Sequence, residues 1–245
     1  MNSYKSVVET DQIGSNTVIS DFCLIKRNVK IGNNVVIHPH VTIYEGVEID
    51  DNVEIFCGVL IGKEPKSSNV LSRDIEFKKT IHIGKNTSIG TNSIIYYDVS
   101  IGDNCLIGDN VAIREKSNIG NRCILGMNVS LNYNVSVGES SVIMAKSHIT
   151  GNTRIGRNVF ISVGVTMAND NNFGSLGYHE ELISGPDIRD YAKIGVGAII
   201  LPSVRVGENA LIAAGAVVTK NVENNSQVMG IPARHVKFIL PGNKK

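Results

Sequence analysis

Tryptophan is absent from this chain of 245 residues, and aromatic residues together make up only 5% of it. That composition suits a core of stacked aliphatic and small side chains, which has little space for rings. No stretch is apolar for long enough to span a bilayer, and Met1 to Asp11 lacks the apolar centre of an export signal, so a cytoplasmic protein is expected. A net charge of +1 excludes a general electrostatic attraction to nucleic acid or to anionic membrane. The four cysteines include no CxxC pair. They read as thiols in a reducing compartment rather than as a disulfide or metal framework.

What the chain does have is a strict period of six. From Ile83 to Met167 a large aliphatic residue returns at every sixth position, fifteen times in succession. Neither the 3.6-residue helical period nor simple alternation gives this spacing, so it marks a repeat array. A small or β-branched residue follows four places later, as at Thr87, Ser93, Val99, Cys105 and Cys123. These two positions are expected to point inward and the other four outward, with turns at pairs such as Asp103-Asn104 and Asp109-Asn110. The same pattern runs from Ile13 to Ile61 and from Ile188 to Val218, giving thirty faces in all. Residues 1–12 read as a lead-in, 13–220 as the repeat domain and 221–245 as a tail. Two segments without the period, 63–80 and 168–187, read as extruded loops.

The hexads and the closing segments Ala213–Lys220 and Met229–Arg234 resemble those of the hexapeptide-repeat acyltransferases, in particular the nucleotide-sugar N-acetyltransferases. The resemblance covers about residues 13 to 220. It implies an all-β fold, a left-handed parallel β-helix of about ten three-sided coils, roughly 50 Å tall at the strand-layer spacing. It also implies acetyl-CoA as acyl donor, a nucleotide-linked amino sugar as acceptor, and a homotrimer with sites between subunits.

With eighteen residues per turn, one edge departs from the glycine-rich turns seen at Gly84, Gly102, Gly108 and Gly120. Its successive corners read Tyr96-Tyr97-Asp98, Arg114-Glu115-Lys116, Asn132-Tyr133-Asn134, Thr150-Gly151-Asn152 and Ala168-Asn169-Asp170, and both loops leave from it. This edge is read as the functional groove. His148 is the residue there best suited to proton transfer near neutral pH and is the candidate general base. Asn169-Asp170 resembles the Asn-Asp of the family's sugar-binding loop and completes the candidate catalytic set. Asp98, Arg114, Glu115, Asn132, Asn134, Asn152 and His179 are candidates for holding the acceptor. Ala214, Lys220 and Arg234, at the C-terminal end, suit a pantetheine arm and nucleotide phosphates.

Other readings stay open. O-acetylation of a sugar uses the same machinery on a hydroxyl. A non-catalytic scaffold would be expected to show a bare, glycine-turned prism, against the polar edge seen here. A zinc lyase on this scaffold needs three converging histidines. Those present, at 38, 40, 82, 148, 179 and 235, include none stacked on His148 at a multiple of eighteen, so no metal site is expected.

Overall fold

Of every six residues only two point inward, and that arithmetic sets the shape. The computed structural model describes residues 6–67, 75–172, 174–175 and 182–239. Short strands, mostly of two residues, form three parallel sheets of eleven, nine and twelve strands, each strand pairing with the one a coil away. In the uninterrupted repeat the register is eighteen residues, as in Ile95↔Ile113, Ile101↔Ile119 and Ile107↔Leu125. The fold is thus all-β and matches the left-handed β-helix expected.

The winding runs on at both ends beyond the thirty hexads. Val7–Val8 pairs with Leu24–Ile25, Val222 bridges Val206, and Ser226–Met229 pairs with Leu211–Ile212. Arg234–Phe238 then folds back antiparallel on Ser226–Met229. Hence two of the three sheets exceed ten strands, and parts of both the lead-in and the tail belong to the helix.

The core is a set of ladders. Ile37, Ile43, Ile89, Ile107, Ile113 and Ile149 are fully buried, and the residues four places on, such as Val41, Ser93, Val111 and Thr153, close the same interior. Inward hydroxyls such as that of Ser147 bond to the backbone, donating to the Ser162 carbonyl at 2.9 Å and accepting from the Val165 amide at 3.3 Å, whereas Thr153 Oγ1 is buried without a partner among the described residues. Cys23, Cys105 and Cys123 are buried in this role, Cys57 is half-buried, and all four are free thiols. Burial pushes the Cys23 thiol up.

Turns explain the asparagines. The third residue after almost every aliphatic adopts φ near +60°, as at Asn34, Asn104, Asn128 and Asn158. Asparagine tolerates this left-handed conformation better than most side chains. It also builds a ladder, Asn16–Asn34–Asn52–Asn86–Asn104, with amide hydrogen bonds of 3.1–3.2 Å between coils. Lys146 holds φ +61° at such a position with an exposed side chain. Lys146→Asn should therefore stabilise the protein by about 0.5–1 kcal/mol, read as a higher urea midpoint with an unchanged slope.

Glycine follows the aliphatic where coils approach most closely. A Cβ on Gly108 would lie 2.7 Å from the Met127 amide nitrogen of the next coil. Both extruded segments leave one corner. Leu60–Lys63 and Thr166–Met167 belong to the eleven-stranded sheet, and the chain re-enters in the nine-stranded sheet at Ile81–Ile83 and Asp187–Ile188.

Candidate active site

His148 lies on the outer face of the eleven-stranded sheet, between Ser130 and Thr166 of the adjoining coils. Its alternating strand turns Ile149 inward and leaves the imidazole half-buried. Nδ1 is 2.7 Å from Ser130 Oγ, and burial alone holds the imidazole below its ordinary pKa. Among the described residues Nε2 has no hydrogen-bond partner. If Nδ1 carries the proton and donates to Ser130, Nε2 presents its lone pair outward, as a general base requires. A serine hydroxyl thus orients this ring, and the eighteen-residue register that places Ser130 beside His148 was the signal for it.

The other candidates divide into groups. Glu115 is 1% exposed and is bound by Arg114 through two hydrogen bonds of 3.0 Å. It does not face a groove, which corrects its reading as an acceptor ligand. The register puts it one coil from Tyr97 and Tyr133. Tyr133 in turn lies over Gly151, where a Cβ would come within 2.6 Å of the ring. The loss of a larger side chain at that corner thus has a packing cause. Arg114, besides holding Glu115, stacks its guanidinium 5.5 Å from the Tyr96 ring centre.

Asp170 accepts the amides of Asn172 and Gly174, both at 2.6 Å, so its carboxylate shapes the start of the second loop. Asn169 donates to the Gly151 carbonyl at 3.3 Å and pins that loop to the preceding coil. Asn132 uses its carbonyl to accept from Ser117 at 3.1 Å. His179 lies outside the described residues.

Two cavities open beside the corner, on the nine-stranded side. The first, of about 590 Å³, is walled by Lys116, Asn134, Asn152 and Arg154 and by residues 183–187 of the returning loop. Asn134 donates to Asn152 Oδ1 at 2.8 Å, and Asn152 donates to the Ile183 carbonyl at 3.0 Å, which ties wall to loop. Asp98 lines the second, of about 480 Å³, together with His82 and Lys116. His148, Asn169 and Asp170 line neither. The expected single column is therefore split across the corner: the imidazole faces one sheet and the amide-lined cavity faces the other. Arg154 was not among the expected residues, and its place eighteen residues after Ser136 on the outer face is what adds it.

At the C-terminal end Lys220 and Arg234 line one cavity of about 360 Å³ with Asn221 and His235. Ala214 is exposed nearby in sequence but is not part of that wall. Among the described residues no group of three or more histidine, cysteine, aspartate or glutamate side chains is arranged to hold a metal ion, and no helix is long and apolar enough to cross a membrane.

Comparison with known proteins places these features in context. The chain is 38% identical over 85 residues to a serine acetyltransferase of Buchnera aphidicola, a match covering 32% of this chain and 31% of that protein. It is 48% identical over 50 residues to a 2,3,4,5-tetrahydropyridine-2,6-dicarboxylate N-acetyltransferase of Staphylococcus aureus, covering 20% of this chain and 21% of that protein. The matched segments thus span under a third of these relatives' own length. Among solved structures, a UDP-N-acetylglucosamine acyltransferase from Bacteroides fragilis superposes with a TM-score of 0.56 at 21% identity, covering 97% of this chain and 74% of that one. One from Arabidopsis does so with a TM-score of 0.51 at 16% identity, covering 95% and 72%. Both share the fold. The model of the bacterial transferase hexapeptide family (six repeats) matches at residues 12–45, 28–63, 80–115, 98–133 and 185–220, and the chain belongs to that family.

Proposed function

We propose that this protein is an acyl-CoA-dependent acyltransferase, with acetyl-CoA as donor and the amine of a nucleotide-linked amino sugar, of the kind used in surface polysaccharide synthesis, as acceptor. The observation that carries the reading is His148: half-buried, with its pKa held low, and with Nδ1 oriented by Ser130. Family membership supports acyl transfer as the chemistry.

In the reaction the acceptor nitrogen attacks the thioester carbonyl carbon, and Nε2 of His148 takes the proton that the nitrogen sheds. The carbon–sulfur bond then breaks, and the imidazolium returns its proton to the departing thiolate. Backbone amides of the coil turns are suited to the oxyanion between these steps. Asn134, Asn152, Lys116 and Arg154 offer amide and cationic contacts for the acceptor's sugar hydroxyls. Lys220 and Arg234 suit the phosphates of the coenzyme. The split between the His148 face and the amide-lined cavity agrees with an assembly in which one subunit's face meets a neighbour's corner, as in a homotrimer. A cytoplasmic location fits free thiols and soluble thioester donors.

A second reading, O-acetylation, is favoured by the same histidine. A hydroxyl is a poorer nucleophile than a neutral amine and depends more heavily on a base.

The test is incubation with acetyl-CoA and a panel of UDP- and dTDP-linked amino sugars, free sugars and alcohols. Thiol release is followed in solution and the product by mass. The expected result is a gain of one acetyl group on a nucleotide amino sugar. Acetylation of hydroxyl acceptors alone would establish the second reading, and no thiol release with any amine or alcohol would overturn both.

A further inference from the structure

A cavity that none of the chemistry above uses lies where the first extruded segment leaves and rejoins the coils. It measures about 660 Å³ and is lined by Tyr44, Leu60, Gly62, Tyr97, Glu45 and Glu64, with the ammonium groups of Lys26, Lys63, Lys66 and Lys79 around it. Its size is ordinary for a small-molecule site. From its position and chemistry, the geometry points to a binding site for a nucleoside diphosphate, with the flat base against Tyr44 and the two phosphates on the lysine rim.

The site is built by a local break in the repeat. Leu60–Lys63 runs four residues where most strands have two, and the register slips so that Lys63 pairs with Tyr96. Gly62 makes the slip feasible. Its φ is +96°, and a Cβ there would lie 2.7 Å from Tyr44 Cβ and 3.3 Å from the Tyr97 ring. With glycine in place the two tyrosines close on the backbone and form an aromatic wall. Tyr97 is 2% exposed, its hydroxyl donates to the Glu45 carbonyl at 3.0 Å, and Phe77 stacks on it with 6.0 Å between ring centres. Tyr44 is 38% exposed and is the ring open to a ligand.

The charges suit an anion. Four lysines face two glutamates in the wall, and Glu9 pairs with Lys26, so the excess is one positive charge. Glu64 is held down to about pKa 2 by Lys66 and Lys79, at 2.6 Å each, so it locks two ammonium groups in place. Lys26 is held by Glu9 at 2.9 Å. Lys63 lies 5.1 Å from the Tyr96 ring centre rather than on a carboxylate, and it is the cation best placed to meet a phosphate. A ligand that combines a flat ring with adjacent phosphates satisfies both wall and rim. A sugar without phosphate leaves the lysines unused, and inorganic pyrophosphate leaves the tyrosine bare.

Two sources carry this chemistry, the nucleotide of the acceptor proposed above and the nucleotide of coenzyme A. The test is calorimetric titration of the full-length protein, without acyl donor and acceptor together, with UDP, dTDP, ADP, coenzyme A and inorganic pyrophosphate. At least one nucleoside diphosphate is expected to bind more tightly than pyrophosphate. Tyr44→Ala should weaken it about tenfold and Lys63→Ala by a similar factor, whereas Tyr44→Phe should restore binding. Lys193→Ala, on the exposed face of the twelve-stranded sheet, should leave it unchanged. A preference for UDP or dTDP that Tyr44→Ala abolishes assigns the site to the acceptor, and a preference for ADP or coenzyme A that it abolishes moves the donor's nucleotide here from the Lys220 cavity. The inference is overturned if no diphosphate binds below about 1 mM, or if binding survives the Tyr44→Ala, Lys63→Ala double substitution with the circular dichroism intact. Because no acyl transfer is measured, such a failure leaves the acyltransferase reading standing, and failure of that reading leaves this site standing.

Discussion

His148→Ala is expected to lower kcat by about 10² to 10⁴ while changing KM little, because a general base acts on the proton in flight rather than on the bound acceptor. Steady-state rates of thiol release with a saturating acceptor measure it. The pH dependence carries more information. Burial favours the neutral imidazole and lowers its pKa from the ordinary value near 6.5, so the active form is present throughout neutral pH. The rate should be level from about pH 7 upward and fall only as the pH drops through that lowered pKa. A remaining histidine-like limb in His148→Ala would mean that another group supplies the base. The same shift has a stability consequence of fixed sign. The folded state resists protonation that the unfolded chain accepts, so this contribution is complete above about pH 6.5 and is lost as the pH falls through the lowered value. His148→Asn should be less sensitive to acid over that window. Ser130→Ala should lower kcat by a smaller factor, about tenfold, and shift the acid limb, since it removes the partner of Nδ1 without removing the base. A Ser130→Ala protein with wild-type kcat and pH profile would show that Ser130 merely packs against the ring.

The inward and outward pattern of the coils was legible from the sequence because it depends on position alone, whereas their three-sided, left-handed winding followed from the family resemblance. The six-residue period says which side chain turns inward, and Ile113, Cys123, Leu131 and Ser141 are buried where it puts them. The departure of both loops from one corner also followed from counting. What counting does not show is where a corner side chain goes once its neighbours are in place. Glu115 occupies the same corner position as Tyr97 and Tyr133, yet its carboxylate is buried and bound by Arg114. Asp170 was legible as polar, but its carboxylate is taken by the amides of Asn172 and Gly174 two and four residues on. The side of the corner on which a cavity forms depends on how residues 183–187 return along the coil, which carries no periodic signal. The bulge at Gly62 and Lys63 was hidden for a related reason, since one residue of slip is invisible where the repeat has already stopped.

Ile149→Ala should cost about 2–5 kcal/mol, a large part of a typical domain's stability, although the residue touches no ligand and lies one position from His148. Its side chain is fully buried, stacked between Leu131 and Met167 of the adjoining coils of the eleven-stranded sheet. The interior cannot collapse into the space left behind. Its walls are flat sheets whose coil spacing is set by backbone hydrogen bonds, such as His148 N to Val165 O at 2.9 Å and Asn132 N to Ile149 O at 2.9 Å. Both the transfer and the cavity terms should therefore be felt in full. The comparison that isolates the cause is Ile124→Ala, the same chemical change at an outward position that is 38% exposed, for which less than about 1 kcal/mol is expected. Urea unfolding followed by circular dichroism measures both. In a solenoid each coil is stabilised mainly by its nearest neighbours, so the Ile149→Ala transition should also broaden as the helix parts into two blocks at the weakened coil. Equal midpoints for the two variants would show that the ladder is not the source of stability. A broadened transition would predict, in turn, that His148 and the second loop loosen before the coils at either end unfold.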